Sequence, residues 1–120
     1  MQHQAKQHQD QLQVACAQIN ARLGDVEANL AHHLDVIHDA RRRGVELLVF
    51  PELSLTGYGL GPRVLEVAMP SEDPRLVQLA KAAAGMQVIV GFVEEASPGE
   101  IYNALAILQD GRIAAVHRKL

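Results

Sequence analysis

Tryptophan is missing from this sequence, and tyrosine and phenylalanine occur only twice each. With so few rings to stack on bases, and 14 acidic side chains against 11 basic ones, the chain has neither the aromatic platforms nor the cationic field that holds nucleic acid. Cysteine occurs once, at Cys16, which excludes an internal disulfide and any metal cluster built on several cysteines. No apolar run approaches the roughly 20 residues needed to span a bilayer, so no membrane role is expected. The opening stretch "MQHQAKQHQDQ" is rich in Gln and lacks the apolar core of a secretion signal. Residues 1–11 therefore read as a solvated leader, and the expected location is cytoplasmic. What remains, residues 12–120, has the length and hydrophobic content of one globular domain.

The elements follow from periodicity and punctuation. "LQVACAQI", Leu12 to Ile19, reads as a first strand buried on at least one face. In "GDVEANLAHHLDVIHDARRRG", Asp25 is a helix cap, Val26, Leu30, His33 and Ile37 share a face, and Gly44 stands where a helix ends. "ELLVF", Glu46 to Phe50, is a continuous apolar run suited to a parallel strand covered on both faces. A second helix begins at Asp73-Pro74 and stops near Gly85, and "QVIVGFVEE" follows as a third strand. "IYNALAIL" and "RIAAVHRK" flank Asp110-Gly111, a pair fitted to a tight antiparallel hairpin. The order predicts an α/β fold with a mixed sheet.

Glu52 closes the run "LLVFPE". In an open α/β sheet, ligands gather at the carboxyl ends of parallel strands, and Glu52 lies at such an end. Pro51 fixes φ and donates no ladder hydrogen bond, so it ends the strand and aims the next residue. Burial among "LLVF" and "LSL" would raise the carboxyl pKa toward the range of a general base, whereas a nearby cation would lower it. An ordinary strand-end Glu, paired with Arg or facing water, fits the same pattern.

"VACAQINARLGDVEANL", "LLVFPELSLTGY" and "YNALAILQDGRIAAVHRKL", in this order and spacing, resemble the nitrilase superfamily of carbon-nitrogen hydrolases. The resemblance runs from about Val14 to Leu120. It implies an αββα sandwich of which this chain supplies about the first half, a mixed sheet with helices on one face. It implies that Glu52 is the general base and that Lys119 stabilises the tetrahedral intermediate. Tyr58, in the "TGY" segment, is implied more weakly as a wall of the substrate site, and a Gly57-Tyr58-Gly59 turn without function fits equally well. Asn103 of the "YN" pair is given a structural role.

The family's nucleophile is a later Cys, and the sequence reaches Leu120 without the strand and turn that would carry it. Cys16 lies in an apolar strand and is expected to be inert core. The activity implied is hydrolysis of a small linear amide or related C–N bond, with no cofactor, and the 120 residues alone are expected to be inactive. One alternative within the family is the glutaminase part of a glutamine-dependent NAD synthetase. Another, of a different class, is a non-catalytic module that self-associates or binds a full-length relative. A homo-oligomer is expected, because an incomplete sandwich leaves apolar surface bare.

Six histidines suggest no metal site. His3 and His8 belong to the leader, and His32, His33 and His38 lack the i, i+4 spacing of two ligands on one helical face. His33 reads as a hydrogen-bonded or interfacial histidine on the apolar stripe, and His117 as a strand residue facing solvent. The cations of "ARRRG" complement a helix C-terminus.

Overall fold

The computed structural model describes residues 11–120. Residues 1–10, with His3, His8 and nearly all of the expected leader, lie outside the described residues. Five strands pair in chain order: β1 (Val14–Cys16), β2 (Leu47–Val49), β3 (Gln87–Ser97), β4 (Glu100–Gln109) and β5 (Arg112–Arg118). β1, β2 and β3 are parallel, whereas β3–β4 and β4–β5 are antiparallel, so the sheet is mixed as the sequence predicts.

The parallel part requires crossovers, and these are the two predicted helices. Helix α1 (Val26–Arg42) starts where the Asp25 side chain accepts a hydrogen bond from Ala28 N–H. Its inward stripe is Val26, Asn29, Leu30, His33, Ile37 and Ala40, and Gly44 beyond it takes a positive φ of 74°. A 3₁₀ turn (Gly61–Arg63) and a four-residue helix α2 (Val64–Val67) precede helix α3 (Pro74–Ala82). Asp73 caps α3 and also pairs with Arg75. Helices α1 and α3 pack against one another on one face of the sheet.

Alternation along the strands sends Leu48, Val88, Val90, Phe92, Ala104, Ala106 and Leu108 into the core beneath those helices. Val49, Ile89, Leu105 and Ile107 point to the opposite face and are half-buried. No described helix is long and apolar enough to cross a membrane.

Two expectations need correction. The first strand is only three residues long and is the outermost of the sheet, and its Cys16 is exposed rather than buried. Cys16 shares a cross-strand row with Val49 and Ile89, the row that faces away from the helices. An apolar run does not reveal whether its strand is central or outermost. The second correction concerns β3, which continues past Glu95 to Ser97 and turns back into β4 as a long antiparallel pair.

Candidate active site

β2, β3 and β5 all run the same way, because two successive antiparallel pairings return the chain to its starting direction. Their carboxyl ends therefore lie at one edge of the molecule. Glu52 follows β2 and Lys119 follows β5, so residues 67 positions apart reach the same edge. Asn103 enters from the start of β4, which runs in the opposite sense.

The three side chains meet. Lys119 Nζ lies 3.2 Å from Glu52 Oε1, and Asn103 Nδ2 donates to that same oxygen. The backbone keeps Asn103 and Lys119 in step, since Lys119 N–H donates to Asn103 C=O at 2.8 Å. Glu52, Asn103, Lys119 and His117 border a depression of about 250 Å³ whose floor includes Val49, Ile89 and Leu105. Glu52 also borders a second depression with Tyr58, Ile19, Asn20 and Ser54. It stands between the two.

The Asn103 hydrogen bond, followed by those of Lys119 and Tyr58, holds the Glu52 carboxyl below the usual carboxylate range and outweighs the opposing effect of burial. Of the two shifts the sequence left open, the downward one holds, and Glu52 is exposed rather than buried among its apolar neighbours. Glu52 is thus an unprotonated carboxylate near neutral pH, and its partners make it a weaker base than a free glutamate. The Tyr58 hydroxyl is shifted upward, by desolvation first and by Glu52 second, so it stays protonated and can donate.

The next-door Arg118 is fixed more firmly than Lys119. It forms a two-pronged ion pair with Glu94, Nε to Oε1 at 2.8 Å and Nη2 to Oε2 at 3.1 Å, and its guanidinium lies 4.3 Å from the centroid of the Tyr102 ring. Glu94 is buried within β3. Such a planar, doubly bonded pair resists rotation, so it fixes the end of β5 from which Lys119 projects.

The turn that carries Glu52 is sewn to β3 on both sides. Phe50 N–H donates to Ile89 C=O at 2.8 Å, and Leu55 N–H donates to Gly91 C=O at 3.0 Å. Between these anchors Leu53 takes a left-handed φ of 52°. Beneath the turn lies His33, fully buried, its ring stacked on Phe50 with centroids 4.2 Å apart. Burial pushes the His33 pKa down to about 4 from an ordinary 6.5, and neighbouring His32 adds to the effect.

That depression has a sign. The folded protein keeps His33 neutral while the unfolded chain takes up a proton near pH 6.5, so below that pH the unfolded state binds more protons. The contribution of His33 to stability is complete above pH 6.5 and is lost as pH falls toward about 4. It amounts to about 3 kcal/mol across that window. Urea midpoints measured across it should fall more steeply for the native protein than for a His33→Phe variant, and parallel curves would refute the assignment.

Of the sequence-predicted residues, Glu52, Lys119 and Tyr58 are brought together. Cys16 is not: it opens onto a neighbouring depression that shares Val49, Phe50 and Pro51 with the first but includes neither Glu52 nor Lys119. Two further residues join them, and His117 is the exposed strand residue that was expected. Asn103 is a direct partner of the carboxylate, and His117 forms part of the depression's wall. For Asn103 the "YN" pair was a signal, and for His117 the alternation of β5 opposite β4.

A family model described as carbon-nitrogen hydrolase matches residues 13–120. A glutamine-dependent NAD(+) synthetase of Thermotoga maritima is 38% identical over 112 residues, a stretch covering 91% of this chain and 19% of that protein. A probable nitrilase of Schizosaccharomyces pombe is 30% identical over 115 residues, covering 89% of this chain and 42% of its own length. Among solved structures, a glutamine-dependent NAD(+) synthetase from Cytophaga hutchinsonii superposes with a TM-score of 0.77 at 25% identity, covering 90% of this chain and 19% of that one. An amidase from Nesterenkonia sp. superposes with a TM-score of 0.76 at 24% identity, over 90% of this chain and 42% of that one. The chain therefore spans about a fifth of the length of the synthetases it matches.

Proposed function

Because this chain belongs to the carbon-nitrogen hydrolase family, we propose that it carries the general base and the charge-stabilising lysine of an enzyme that hydrolyses a linear amide, with the side-chain amide of glutamine as the favoured substrate. The observation that supports this is the Glu52–Lys119 pair, 3.2 Å apart at the carboxyl edge of the sheet, with Asn103 on the same carboxylate oxygen. The glutamine preference follows the relatives whose names specify glutamine dependence.

An amide carbon is a weak electrophile. Attack by sulfur requires that the thiol proton go to a base and that the negative charge on the carbonyl oxygen meet a cation. Glu52 takes the thiol proton, and the sulfur bonds to the carbonyl carbon. Lys119 faces the oxygen as charge accumulates. Glu52 then passes its proton to the departing nitrogen, ammonia leaves, and a water activated by the same carboxylate cleaves the thioester. In this reading the sulfur comes from a cysteine outside these 120 residues, because Cys16 lies on β1 and lines a depression that reaches neither Glu52 nor Lys119. Tyr58, with an exposed ring and a hydroxyl beside Glu52, is proposed to contact the substrate.

A second reading is supported by the sheet face lined by Val49, Ile89, Leu105 and Ile107, which the helices leave uncovered. In it the chain is a module that pairs with itself or with a longer relative through that face. One experiment separates the two: ammonia release from glutamine, a short aliphatic amide and a nitrile, by the 120 residues alone and by the same residues joined to their nucleophile-bearing partner segment. The amidase reading predicts silence from the first and turnover of glutamine from the second. Silence from both, with a stable oligomer by light scattering, would replace it with the module.

A further inference from the structure

The buried polar chain beneath the Glu52 turn has a defined direction. Asn29 C=O can only accept, so His33 Nδ1, 2.6 Å away, carries the hydrogen. His33 Nε2 is then a bare lone pair, and it accepts from the Ser54 hydroxyl at 2.8 Å. With its proton committed to His33, the Ser54 oxygen accepts from Gly91 N–H at 3.1 Å. The route runs from helix α1 through the turn to strand β3, and no buried side-chain nitrogen or oxygen among the described residues lacks a partner.

We propose that His33 is a positioning residue: through Ser54 it locks the Pro51–Thr56 turn onto Gly91 and so holds the Glu52 carboxylate against Asn103 and Lys119. The turn is also held at its far end, by Leu55 N–H on Gly91 C=O, Gly24 N–H on Thr56 C=O and Asn29 Nδ2 on Leu55 C=O, but Ser54 is the side-chain tether nearest Glu52. Glu52 itself is bonded through its carboxylate tip, to Asn103 on β4, to Lys119 beyond β5 and to the Tyr58 hydroxyl. Its backbone direction is set two residues later, where Ser54 meets His33 and Gly91. A neutral imidazole suits this task, because a protonated ring would donate from both nitrogens and leave the Ser54 hydroxyl only Gly91 C=O, 3.5 Å away, as an acceptor.

This inference rests on the reading of Glu52 as the base, but its test does not use turnover. Glutamate labelled with ¹³C at the carboxyl would be followed by NMR through an acid titration in the native protein and in Ser54→Ala, which removes one oxygen and little volume. Val88→Ala serves as the comparison, since it opens a cavity in β3 away from the turn. Ser54→Ala should shift the Glu52 midpoint upward, toward that of a free glutamate, and weaken its dependence on Lys119, while Val88→Ala should leave both in place. His33→Leu should repeat the Ser54→Ala result if it folds. An unmoved midpoint in Ser54→Ala, or the same shift in Val88→Ala, would overturn the proposal. Failure of the base assignment would be seen separately, in the activity of a Glu52→Gln variant.

Discussion

Glu52→Gln, made in the protein with its nucleophile in place, is expected to lower kcat for amide hydrolysis by about 10²- to 10⁴-fold with little change in KM, the range associated with loss of a positioned general base. Glutamine keeps the shape and can still accept the Asn103 hydrogen bond. It cannot take a proton from a thiol, and it leaves Lys119 without its carboxylate partner. The change thus acts on the transition state more than on binding, and both kcat and kcat/KM should fall together. Retention of more than about a tenth of the native kcat would remove Glu52 from the mechanism. Lys119→Met should show a loss of similar direction, and the double variant should lose much less than the product of the two, as expected for groups that act as a unit.

Gly91→Ala should be nearly as damaging, without touching any reacting group. A Cβ at this position would sit 2.7 Å from Pro51 O and 3.0 Å from Glu52 C, and closer still to Leu53 N. All three are backbone atoms of the turn that carries the carboxylate, so no side chain can swing aside to make room. Crowding of this kind costs about 1–3 kcal/mol, and the upper part of that range is expected because Leu53 already occupies the left-handed region. Urea denaturation would give the loss of stability, and Glu52 would be displaced from Asn103 and Lys119. A variant with native stability and native turnover would show that the turn can move freely, against the geometry described above.

The sequence made the frame legible for physical reasons that can be named. Asp25 and Gly44, Asp73-Pro74, and Asp110-Gly111 each demand a particular backbone geometry, and all three mark real boundaries. The segment from Gly57 to Val67 was not legible, because glycines interrupt it and a four-residue helix is too short to show a period. Glu52 and Lys119 stood out as a pair only through resemblance to a family. Asn103 and His117 did not, since they join the site through the pairing of β4 with β5, which includes a bulge between Ile107 and Leu108. The direction of the Glu52 shift needed distances, because burial and cation act in opposite senses. His33 was correctly read as a hydrogen-bonded histidine, but its partner Ser54 lies 21 residues away.

The backbone bond from Lys119 to Asn103 couples two groups that would otherwise be independent. Lys119 follows β5, an edge strand hinged to β4 by the turn at Asp110 and Gly111, about eight residues or roughly 26 Å back along the strand, whereas Asn103 is held in β4 between β3 and β5. If the end of β5 peels away from β4, the positive charge departs while the Asn103 donor stays with β3, and Glu52 keeps its amide partner but loses its cation. The charge beside Glu52 should therefore follow the seating of β5, and a contact that clamps the outer edge of that strand would tune the proton affinity of a carboxylate it never touches.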